Sequence, residues 1–558
     1  MQTDARRIRG FRIQSRLLAA AHRAAVLLSL VQTRKLVWRA LTITLRRAVA
    51  PRGRRSILLL VLAMAAIPPW QWTFTTALER LDSRYRIEAA SGLYNHDLRK
   101  FFYFLRYLGL YPVATMGGPV DYSGLYPTFD LADPIEDSED GARRQLAEHG
   151  SQLIMDAGWN TRLGDHGRMF LYYPDALIRG TTRGLSVRPC HRLVFIGGLC
   201  ALFFGFWWIR QALLGTVVVL LIGSNPFQLF EVYVRDNVFG WPISTAAWVL
   251  ALHLPLLGRR PPWRYVWVVP LVTGPLLATV RTIRSEPPLI ILSVAMTYLL
   301  LTNADWRRRL TLIGLLVASF TLAACAWNAY FQAKIKRTQE VVARAGGHPY
   351  AGPLRLYHTV WHSVWCGLGD FDKKHGYVWD DRIANDYALP ILREQYHVDV
   401  PPPRPGHYFV DAYWDDAMLY PKLPEDLPHY DDVLQEKVLR DMRNDPLWYA
   451  GIVGHRIWRI LSDTTPVQIA IRPWRLTLPM HGLVFLALLA VLIASRSWML
   501  CKLLCFGLPL SLPALLIYSG GGMSYYSCYH VFCAAILCVL ILQGALWWWR
   551  RARSRGRR

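Results

Sequence analysis

Residues 309–329 read RLTLIGLLVASFTLAACAWNA, and the first residue of this stretch ends the run Arg307-Arg308-Arg309. A helix that crosses a bilayer needs about 20 mostly apolar residues. This stretch provides that length, with a single charge at its start. Because arginine and lysine are enriched on the cytoplasmic side of such helices, the stretch predicts a membrane span that begins in the cytoplasm.

Similar apolar segments occur along the whole chain, which has 558 residues, of which 53% are hydrophobic and 18% charged. Soluble globular chains carry about 25% charged residues, so a soluble enzyme is not expected. The segments predict ten spans, at about 55–76, 192–210, 212–227, 241–257, 265–281, 287–303, 309–329, 477–496, 499–518 and 527–548. The predicted fold class is an all-α polytopic membrane protein with two large extracytoplasmic loops of mixed helix and coil.

The predicted organisation alternates membrane blocks with these two loops. Its segments are a basic cytoplasmic amphipathic segment (1–54), a first transmembrane helix (55–76), a first large extracytoplasmic loop (77–190), a six-helix transmembrane block (191–329), a second large extracytoplasmic loop (330–476), a three-helix transmembrane block (477–549) and a basic cytoplasmic tail (550–558).

The net charge of +25 is concentrated at the chain ends. Residues 1–55 hold 14 Lys and Arg against one Asp, whereas residues 71–190 carry 13 basic and 15 acidic side chains, a net of −2. Residues 331–476 carry 18 and 19, a net of −1. Basic ends and neutral large loops follow the positive-inside rule, so both termini are expected in the cytoplasm and no nucleic-acid partner is expected. The Arg- and Ala-rich composition suits a bacterium with a GC-rich genome, hence an inner membrane with the loops in the periplasm.

Within the first large loop, the motif Gly164-Asp165-His166-Gly167-Arg168 precedes an aromatic segment. Glycines on both sides allow a sharp turn that presents Asp165 and His166 at the start of a surface helix. Asp165 is then either a carboxylate base facing a membrane cavity or an N-cap of the helix. Upstream, the pattern from Asp97 to Leu108 predicts an amphipathic helix on the membrane surface with its aromatic residues directed downward.

Two short outer loops also carry charge near membrane depth. Glu231 and Arg235 are spaced to form a helical i,i+4 pair, which leaves Asp236 to cap the fourth span or to take part in a site. Arg281 and Arg284 oppose the positive-inside rule. Arginine suits phosphate recognition, so a phosphate site is favoured over an interfacial anchor.

The remaining polar groups allow several interpretations. Tyr526 and His530, at the start of the last span, either bind a lipid head group or belong to an aromatic belt. The pair His358 and His362 lacks the glutamate of a zincin motif. No metal ligand is assigned, although a divalent cation could bind at His358 or at the acidic cluster around Asp370 and Asp372. That cluster could instead bind a sugar or stabilise the loop. Cys190 and Cys366 both lie in the hydrophilic loops, so a disulfide between them is an open alternative.

The second large loop contains one further strong pattern. Apolar residues at helical spacing predict a long helix from Tyr430 to Ser462, interrupted near Asp445-Pro446. The proline-rich segment 399–428 before it is predicted to be a loop.

The order of these motifs resembles the GT-C superfamily of integral-membrane glycosyltransferases, which includes protein O-mannosyltransferases and bacterial aminoarabinose transferases. The segment from Asn225-Pro226 to Arg235-Asp236 is similar to the family's third-span loop. The run from Ala278 to Leu292 resembles its helix-break-helix, and the helix beginning at Tyr430 resembles the one before its later spans. The likeness is one of layout and covers about two thirds of the chain.

The resemblance implies an inverting transfer of sugar from a polyprenyl-phosphate donor to a glycan, lipid or protein acceptor at the extracytoplasmic face. A carboxylate is then the general base. Asp165 is the first candidate and Asp82, at a more usual distance from the first span, is the second. Asp236 would orient the acceptor or an arginine. Groups expected to bind the donor or its phosphate are Arg281, Arg284, His530, Tyr526, His166 and Glu231. The chemistry requires no cofactor.

Two other functions use the same predicted topology. The first is a non-catalytic transporter or binding protein for a lipid-linked glycan, which would use the groove and the arginines without Asp165. The second is a structural membrane protein with an external binding domain.

Overall fold

A computed structural model describes residues 96–115, 136–155, 166–182, 185–223, 232, 241–257, 263–284, 290–349, 360–398, 410–414, 418–422, 424, 427–462, 467–471, 474–478, 482–506, 531–541, 544, 545, 548 and 552. All of them lie in one compact unit, Ala65–Arg558. They are mainly helical, which confirms the predicted helical class at that level.

The first described elements precede the apolar helices. They are α1 (His96–Leu108), β1 (Ala114–Thr115), α2 (Glu139–Glu148), β2 (Leu153–Ile154), a 3-10 helix (His166–Tyr172) and α3 (Tyr173–Arg179). The two strands form a short antiparallel ladder in which Ala114 faces Ile154. The side chain of Ser138 caps α2 by accepting a hydrogen bond from the backbone N–H of Gly141 at 3.0 Å.

A block of apolar helices follows. Its members are α4 (Arg188–Trp208), α5 (Ala212–Gly223), α6 (Trp241–His253), α7 (Trp263–Arg281), α8 (Ile290–Leu300) and α9 (Trp306–Arg344). Among the described residues, α4 and α9 are long and apolar enough to cross a membrane. The helix α9 continues well beyond the predicted span 309–329, because its later turns pack against the segment that contains α1.

The next group comprises α10 (Trp361–Gly369), α11 (Asp381–Glu394), β3 (Val410–Trp414), β4 (Met418–Lys422), α12 (Tyr430–Asn444), α13 (Pro446–Ser462), β5 (Val467–Ile471) and β6 (Trp474–Leu478). The pairs β3–β4 and β5–β6 are antiparallel ladders that the sequence analysis did not predict. The first of them lies within 399–428, so the prediction of a loop there was wrong. The predicted interruption near Asp445 is confirmed, since α12 ends and α13 begins at that point.

The last described helices are α14 (Gly482–Ala494), α15 (Trp498–Phe506) and α16 (Val531–Ile541). Each predicted span from the second to the tenth overlaps a described helix, and parts of several of them, such as 507–518, lie outside the described residues. The predicted first span, 55–76, lies outside the described residues, as does the basic segment 1–54.

The apolar helices pack through small residues and side-chain-to-backbone hydrogen bonds. The Ser319 hydroxyl of α9 donates to the carbonyl oxygen of Pro270 in α7 at 3.0 Å. A Cβ atom on Gly274 would lie 2.6 Å from the backbone nitrogen of Phe320, so glycine permits this close approach. Between α4 and α6, the indole of Trp248 donates to the carbonyl oxygen of Val194 at 3.0 Å.

At one end of this block, hydrogen bonds from polar side chains connect the ends of neighbouring helices. The Nε2 atom of His253, the last residue of α6, lies 2.9 Å from the hydroxyl of Tyr298 in α8. The Tyr265 hydroxyl of α7 donates to the carbonyl oxygen of Leu252 at 2.7 Å. Arg309, at the start of α9, donates to the carbonyl oxygen of Leu299 near the end of α8. These contacts join the ends of α6, α7, α8 and α9.

At the opposite end, four helices share one buried core with the segment 96–182. The core contains Val187 just before α4, Trp241 at the start of α6, Ile283 just after α7 and Phe331 in α9. The helix α1 contributes Phe102 and Phe104, neither of which is exposed. The predicted helix is therefore present, but its aromatic residues pack into the protein because α9 and the 3-10 helix provide an apolar partner.

Candidate functional site

The 3-10 helix His166–Tyr172 lies against the turn that follows α7. The backbone N–H of Gly167 donates to the carbonyl oxygen of Thr282 at 2.7 Å. The guanidinium Nε of Arg168 donates to the carbonyl oxygen of Ile283 at 3.1 Å. Two segments that the sequence analysis selected independently, one around Gly167 and one from Arg281 to Arg284, are thus in direct contact.

The turn after α7 holds its shape through its own hydrogen bonds. The backbone N–H groups of Ile283 and Arg284 both donate to the carbonyl oxygen of Val280, each at 2.9 Å. The hydroxyl of Thr282 donates to the carbonyl oxygen of Thr279 at 2.7 Å. Because the chain folds back at this point, the carbonyl groups of residues 282 and 283 point toward the 3-10 helix and accept its donors.

Glycine is required at position 167. A Cβ atom there would overlap the side chain and backbone of Thr282. The absence of a side chain therefore permits the backbone-to-backbone hydrogen bond. The sequence analysis had assigned the glycines of this motif to turn formation; for Gly167, the structure adds a close approach between two chain segments.

The His166 side chain is 1% exposed and lies in an aromatic pocket. Its Nδ1 atom is 3.2 Å from the hydroxyl of Tyr111. The Tyr111 ring meets the imidazole edge-on, with ring centroids 5.7 Å apart. The centroid of the Phe331 ring in α9 lies 5.0 Å from the centroid of the imidazole. The predicted helix does start at His166, but most of it is buried instead of lying on the surface.

A wall of aromatic side chains extends from this pocket along α9. Phe170 of the 3-10 helix lies 6.0 Å from Phe331 and 5.8 Å from Trp327, measured between ring centroids. The Trp327 indole donates to the Thr279 hydroxyl of α7 at 3.1 Å. Burial raises the pKa of the neighbouring Tyr173 phenol, so this group is neutral at physiological pH. The wall provides an apolar surface next to the arginine-containing turn.

Arg281 and Arg284 are half-buried. Arg168 adds a third guanidinium group to the same pair of segments. It belongs to the motif Gly164–Arg168, but the sequence did not predict a role for it. The helix α4, which contacts the 3-10 helix, begins at Arg188 and also carries His191, whose ring stacks on Trp241 at 5.3 Å. A signal for these residues existed, because basic side chains at the outer start of the second predicted span oppose the positive-inside rule in the same way as Arg281 and Arg284.

Two carboxylates in this region have local structural partners. Asp137 accepts hydrogen bonds from the backbone N–H of Thr182 at 2.7 Å and from its hydroxyl at 2.5 Å. Burial alone raises the pKa of Asp137, but hydrogen bonds from Thr181, Thr182 and Tyr107 outweigh it and hold that pKa below its usual range. Asp175 accepts from the backbone N–H of Ser186 at 2.8 Å and pairs with Arg179. Both therefore fix the chain just before α4.

The predicted site residues fall partly within the described residues. Of the nine, His166, Arg281 and Arg284 are described, and the other six lie outside the described residues. Those six are Asp82, Asp165, Glu231, Asp236, Tyr526 and His530. In sequence, Asp165 directly precedes His166, so the described part of the motif begins one residue after the candidate base.

In the second large loop, three carboxylates of the acidic, aromatic cluster hold the fold together. Asp372 accepts from the backbone N–H of Tyr377 at 2.7 Å and from the indole of Trp448 at 2.9 Å. Burial opposes ionisation, but these bonds and those from the neighbouring backbone hold the pKa of Asp372 below its usual range. Asp370 pairs with Arg459 at 3.1 Å, and Asp380 caps α11. For these residues, the stabilising interpretation is favoured over a sugar site.

A lysine at the centre of this helical group is enclosed by aromatic rings. The ammonium of Lys437 lies 4.7 Å from the ring centroid of Tyr377 and 5.6 Å from that of Trp365. It donates to Asp441 at 2.6 Å, and Asp441 also accepts from the Tyr377 hydroxyl at 2.8 Å. Burial acts to raise the pKa of Asp441, but the bonds from Lys437 and Tyr377 lower it overall. The arrangement is a paired, hydrogen-bonded interior charge.

Comparison with known protein families, with characterised proteins and with solved structures finds no match to this chain. The resemblance to the GT-C superfamily accordingly remains a prediction that rests on the residues quoted above.

Proposed function

We propose that this chain is a polytopic membrane glycosyltransferase, which transfers a sugar from a polyprenyl-phosphate donor to an acceptor on the extracytoplasmic side. Both termini lie in the cytoplasm, and the membrane is a bacterial inner membrane with the active face in the periplasm. The observation that carries the proposal is the contact between Gly167-Arg168 and Thr282-Ile283. It joins the segment that directly follows the candidate base in the chain to the turn that contains the candidate phosphate-binding arginines.

The membrane arrangement is supported by which helix ends meet. The core shared by Val187, Trp241, Ile283 and Phe331 contains the ends of α4, α6 and α7, together with the later part of α9. The positive-inside rule predicts every one of these ends to face the exterior. The His253–Tyr298 contact and the bond from Arg309 to Leu299 join ends that the same rule predicts to face the cytoplasm. One orientation thus accounts for both groups of contacts.

The proposed chemistry divides between the two joined segments. The acceptor hydroxyl loses a proton as it attacks the anomeric carbon, and Asp165 takes that proton as general base. Electron density moves to the leaving lipid phosphate, whose negative charge is stabilised by the guanidinium groups of Arg281 and Arg284. Arg168, fixed through Ile283, adds to the positive potential at this turn. Tyr111 and Phe331 hold His166, the residue that directly follows Asp165 in the chain.

The test is a turnover measurement on the purified full chain in lipid. Radiolabelled polyprenyl-phosphate sugars are supplied as donors, and release of the polyprenyl phosphate is followed. We expect release by the wild type and a loss of at least 100-fold in Asp165→Asn, since a positioned general base contributes about 10²–10⁴-fold. Arg281→Gln and Arg284→Gln should each lower turnover while keeping the fold.

The matched control is Arg307→Gln, which removes an exposed arginine from the opposite end of the helix block. It should leave turnover unchanged. Equal donor binding by wild type and Asp165→Asn, without release by either, contradicts the enzyme proposal and indicates a carrier of lipid-linked glycans. Full turnover by Asp165→Asn and by Asp82→Asn shows that neither carboxylate is the base.

A further inference from the structure

Three side chains of different chemistry converge at the junction of α10 and α11. The Nε2 atom of His362 lies 3.0 Å from Oδ1 of Asp381. The Sγ atom of Cys366 lies 3.7 Å from that same nitrogen and 3.7 Å from that same oxygen. An imidazole nitrogen, a thiol sulfur and a carboxylate oxygen thus form a small triangle.

Local structure explains how the triangle forms. His362 and Cys366 are four residues apart on α10, so their side chains lie on one face of that helix. Asp381 is the first residue of α11, immediately after the cap Asp380, whose side chain accepts from the backbone N–H of Arg382 at 3.0 Å. The cap fixes the start of α11 and therefore the position of Asp381 relative to α10.

A second layer of hydrogen bonds orients the imidazole. The Tyr430 hydroxyl donates to Oδ1 of Asn385 at 2.8 Å, and its oxygen is 2.9 Å from Nδ1 of His362. Since the phenol proton is used on Asn385, Nδ1–H of His362 donates to the Tyr430 oxygen. A neutral imidazole in that tautomer presents its lone pair at Nε2, toward Asp381 and Cys366. In this neutral form the Nε2 lone pair and the Asp381 carboxylate oxygen are two acceptors that face one another, and a cation bound between them removes that conflict, as protonation of the imidazole also would.

We propose that Nε2 of His362, Sγ of Cys366 and Oδ1 of Asp381 bind a divalent cation of the zinc type. Tetrahedral zinc with ordinary bond lengths places a nitrogen and an oxygen ligand about 3.4 Å apart, and sulfur about 3.6 Å from either. The observed 3.0, 3.7 and 3.7 Å lie within about 0.4 Å of that geometry. The mixed sulfur, nitrogen and oxygen donor set favours zinc over magnesium or calcium.

The three proposed ligands differ in solvent exposure. His362 and Cys366 are 9% and 4% exposed, whereas the side chain of Asp381 is 53% exposed. The ion therefore has protein ligands on the inner side and a solvent-facing fourth position beside Asp381. It would link α10 to α11 in the second large loop. Binding of this ion is independent of the proposed sugar transfer, so either proposal can fail without the other.

The test is metal binding by the purified full chain after treatment with a chelator. Zinc is returned and bound metal is measured by mass spectrometry, and cobalt(II) is used in parallel because a cobalt–thiolate bond gives a near-ultraviolet charge-transfer absorption. We expect saturable binding with that absorption. Cys366→Ser should abolish the absorption, and Asp381→Asn should weaken zinc binding at least tenfold.

Matched controls are available for both changes. Cys325→Ser removes an exposed thiol on α9, and Asp386→Asn removes an exposed carboxylate on α11; both should bind as the wild type does. Tyr430→Phe keeps the ring but removes the bond that orients His362, and should weaken binding by about 10–100-fold.

Asp381 is exposed, so its substitution tests the site even where a change at buried Cys366 disturbs folding. The proposal is overturned by a wild type without the thiolate absorption, or by Asp381→Asn binding zinc as tightly as wild type. In either case the triangle is a hydrogen-bonded His–Asp contact with a buried thiol beside it.

Discussion

Gly167 donates its backbone N–H to the carbonyl oxygen of Thr282 at 2.7 Å, with no room for a side chain between the two segments. This hydrogen bond links the loop before α4 to the turn after α7. The first prediction concerns its loss. Gly167→Ala forces the segments apart, and overpacking of this kind costs about 1–3 kcal/mol. We expect a lower midpoint of thermal unfolding in detergent and lower sugar-transfer turnover.

The control for this substitution is Gly451→Ala on α13. A Cβ atom there meets nothing within 4 Å, so the change tests glycine replacement without a steric conflict. In a helix interior, alanine is favoured over glycine by up to about 1 kcal/mol. Gly451→Ala should therefore leave stability unchanged or raise it. Equal behaviour of the two variants contradicts a structural requirement for glycine at 167.

The second prediction concerns Tyr111, whose hydroxyl lies 3.2 Å from Nδ1 of the buried His166. Tyr111→Phe removes that contact and leaves a buried ring nitrogen without it, which costs about 1–3 kcal/mol. We expect reduced stability and a drop in turnover, because His166 is held next to Asp165 in the chain. Tyr330→Phe, on the partly exposed face of α9, is the control and should change neither quantity.

The third prediction concerns Lys437, which is paired with Asp441 inside the aromatic group of α12. Lys437→Met removes the cation but leaves a largely buried carboxylate, so we expect a loss on the order of 2–3 kcal/mol. Hydrogen-exchange protection of α12 should fall with it. The double variant Lys437→Met/Asp441→Asn should recover part of that loss, and the exposed Lys373→Met should have no effect. If Lys437→Met keeps the hydrogen-exchange protection of α12 at the wild-type level, the stabilising role of the Lys437–Asp441 pair is contradicted.

The fourth prediction is a pH dependence at Asp372. Hydrogen bonds from Tyr377 and Trp448 help to hold its pKa below the unfolded value of about 3.9. Its stabilising effect is therefore complete above that value and is lost as the pH falls through the lower, folded pKa. Asp372→Asn should lower the unfolding midpoint at neutral pH, by an amount corresponding to about 1 kcal/mol after solvent screening.

The difference between wild type and Asp372→Asn should stay constant down to about pH 5 and shrink below about pH 4, where the unfolded chain takes up a proton first and the folded carboxyl follows at its lower pKa. Asp386→Asn, on an exposed position of α11, serves as the control and should show no such trend. A difference that widens in acid has the wrong sign and contradicts the lowered pKa.

Local features of the fold were predictable where the cause is itself local. Proline lacks a backbone N–H and disfavours helical backbone at the preceding residue. Asp445 accordingly leaves the helical region, with φ −137° and ψ 70°, and separates α12 from α13. Hydropathy likewise marked the apolar helices, because twenty residues of one polarity form a signal that needs no partner. The helix ending at Leu108 was recognised from its periodicity for the same reason.

Contacts between distant segments were decided by the tertiary structure. Periodicity shows that α1 has an apolar face but does not identify what covers it, so Phe102 and Phe104 were assigned to the membrane surface instead of the protein core. The triangle of His362, Cys366 and Asp381 depends on how α10 meets α11. The sequence leaves a disulfide between Cys190 and Cys366 open, whereas both are free thiols in the structure.

The candidate site shows the same division. From sequence alone, the motif around Gly167 and the two arginines at 281 and 284 could each be selected, because charge near membrane depth is costly and therefore informative. That they touch through Thr282 followed only from the fold. The side chain determines what chemistry a residue can perform. The distance between two residues that are far apart in sequence depends on the backbone path between them, which is fixed only when the helices pack together.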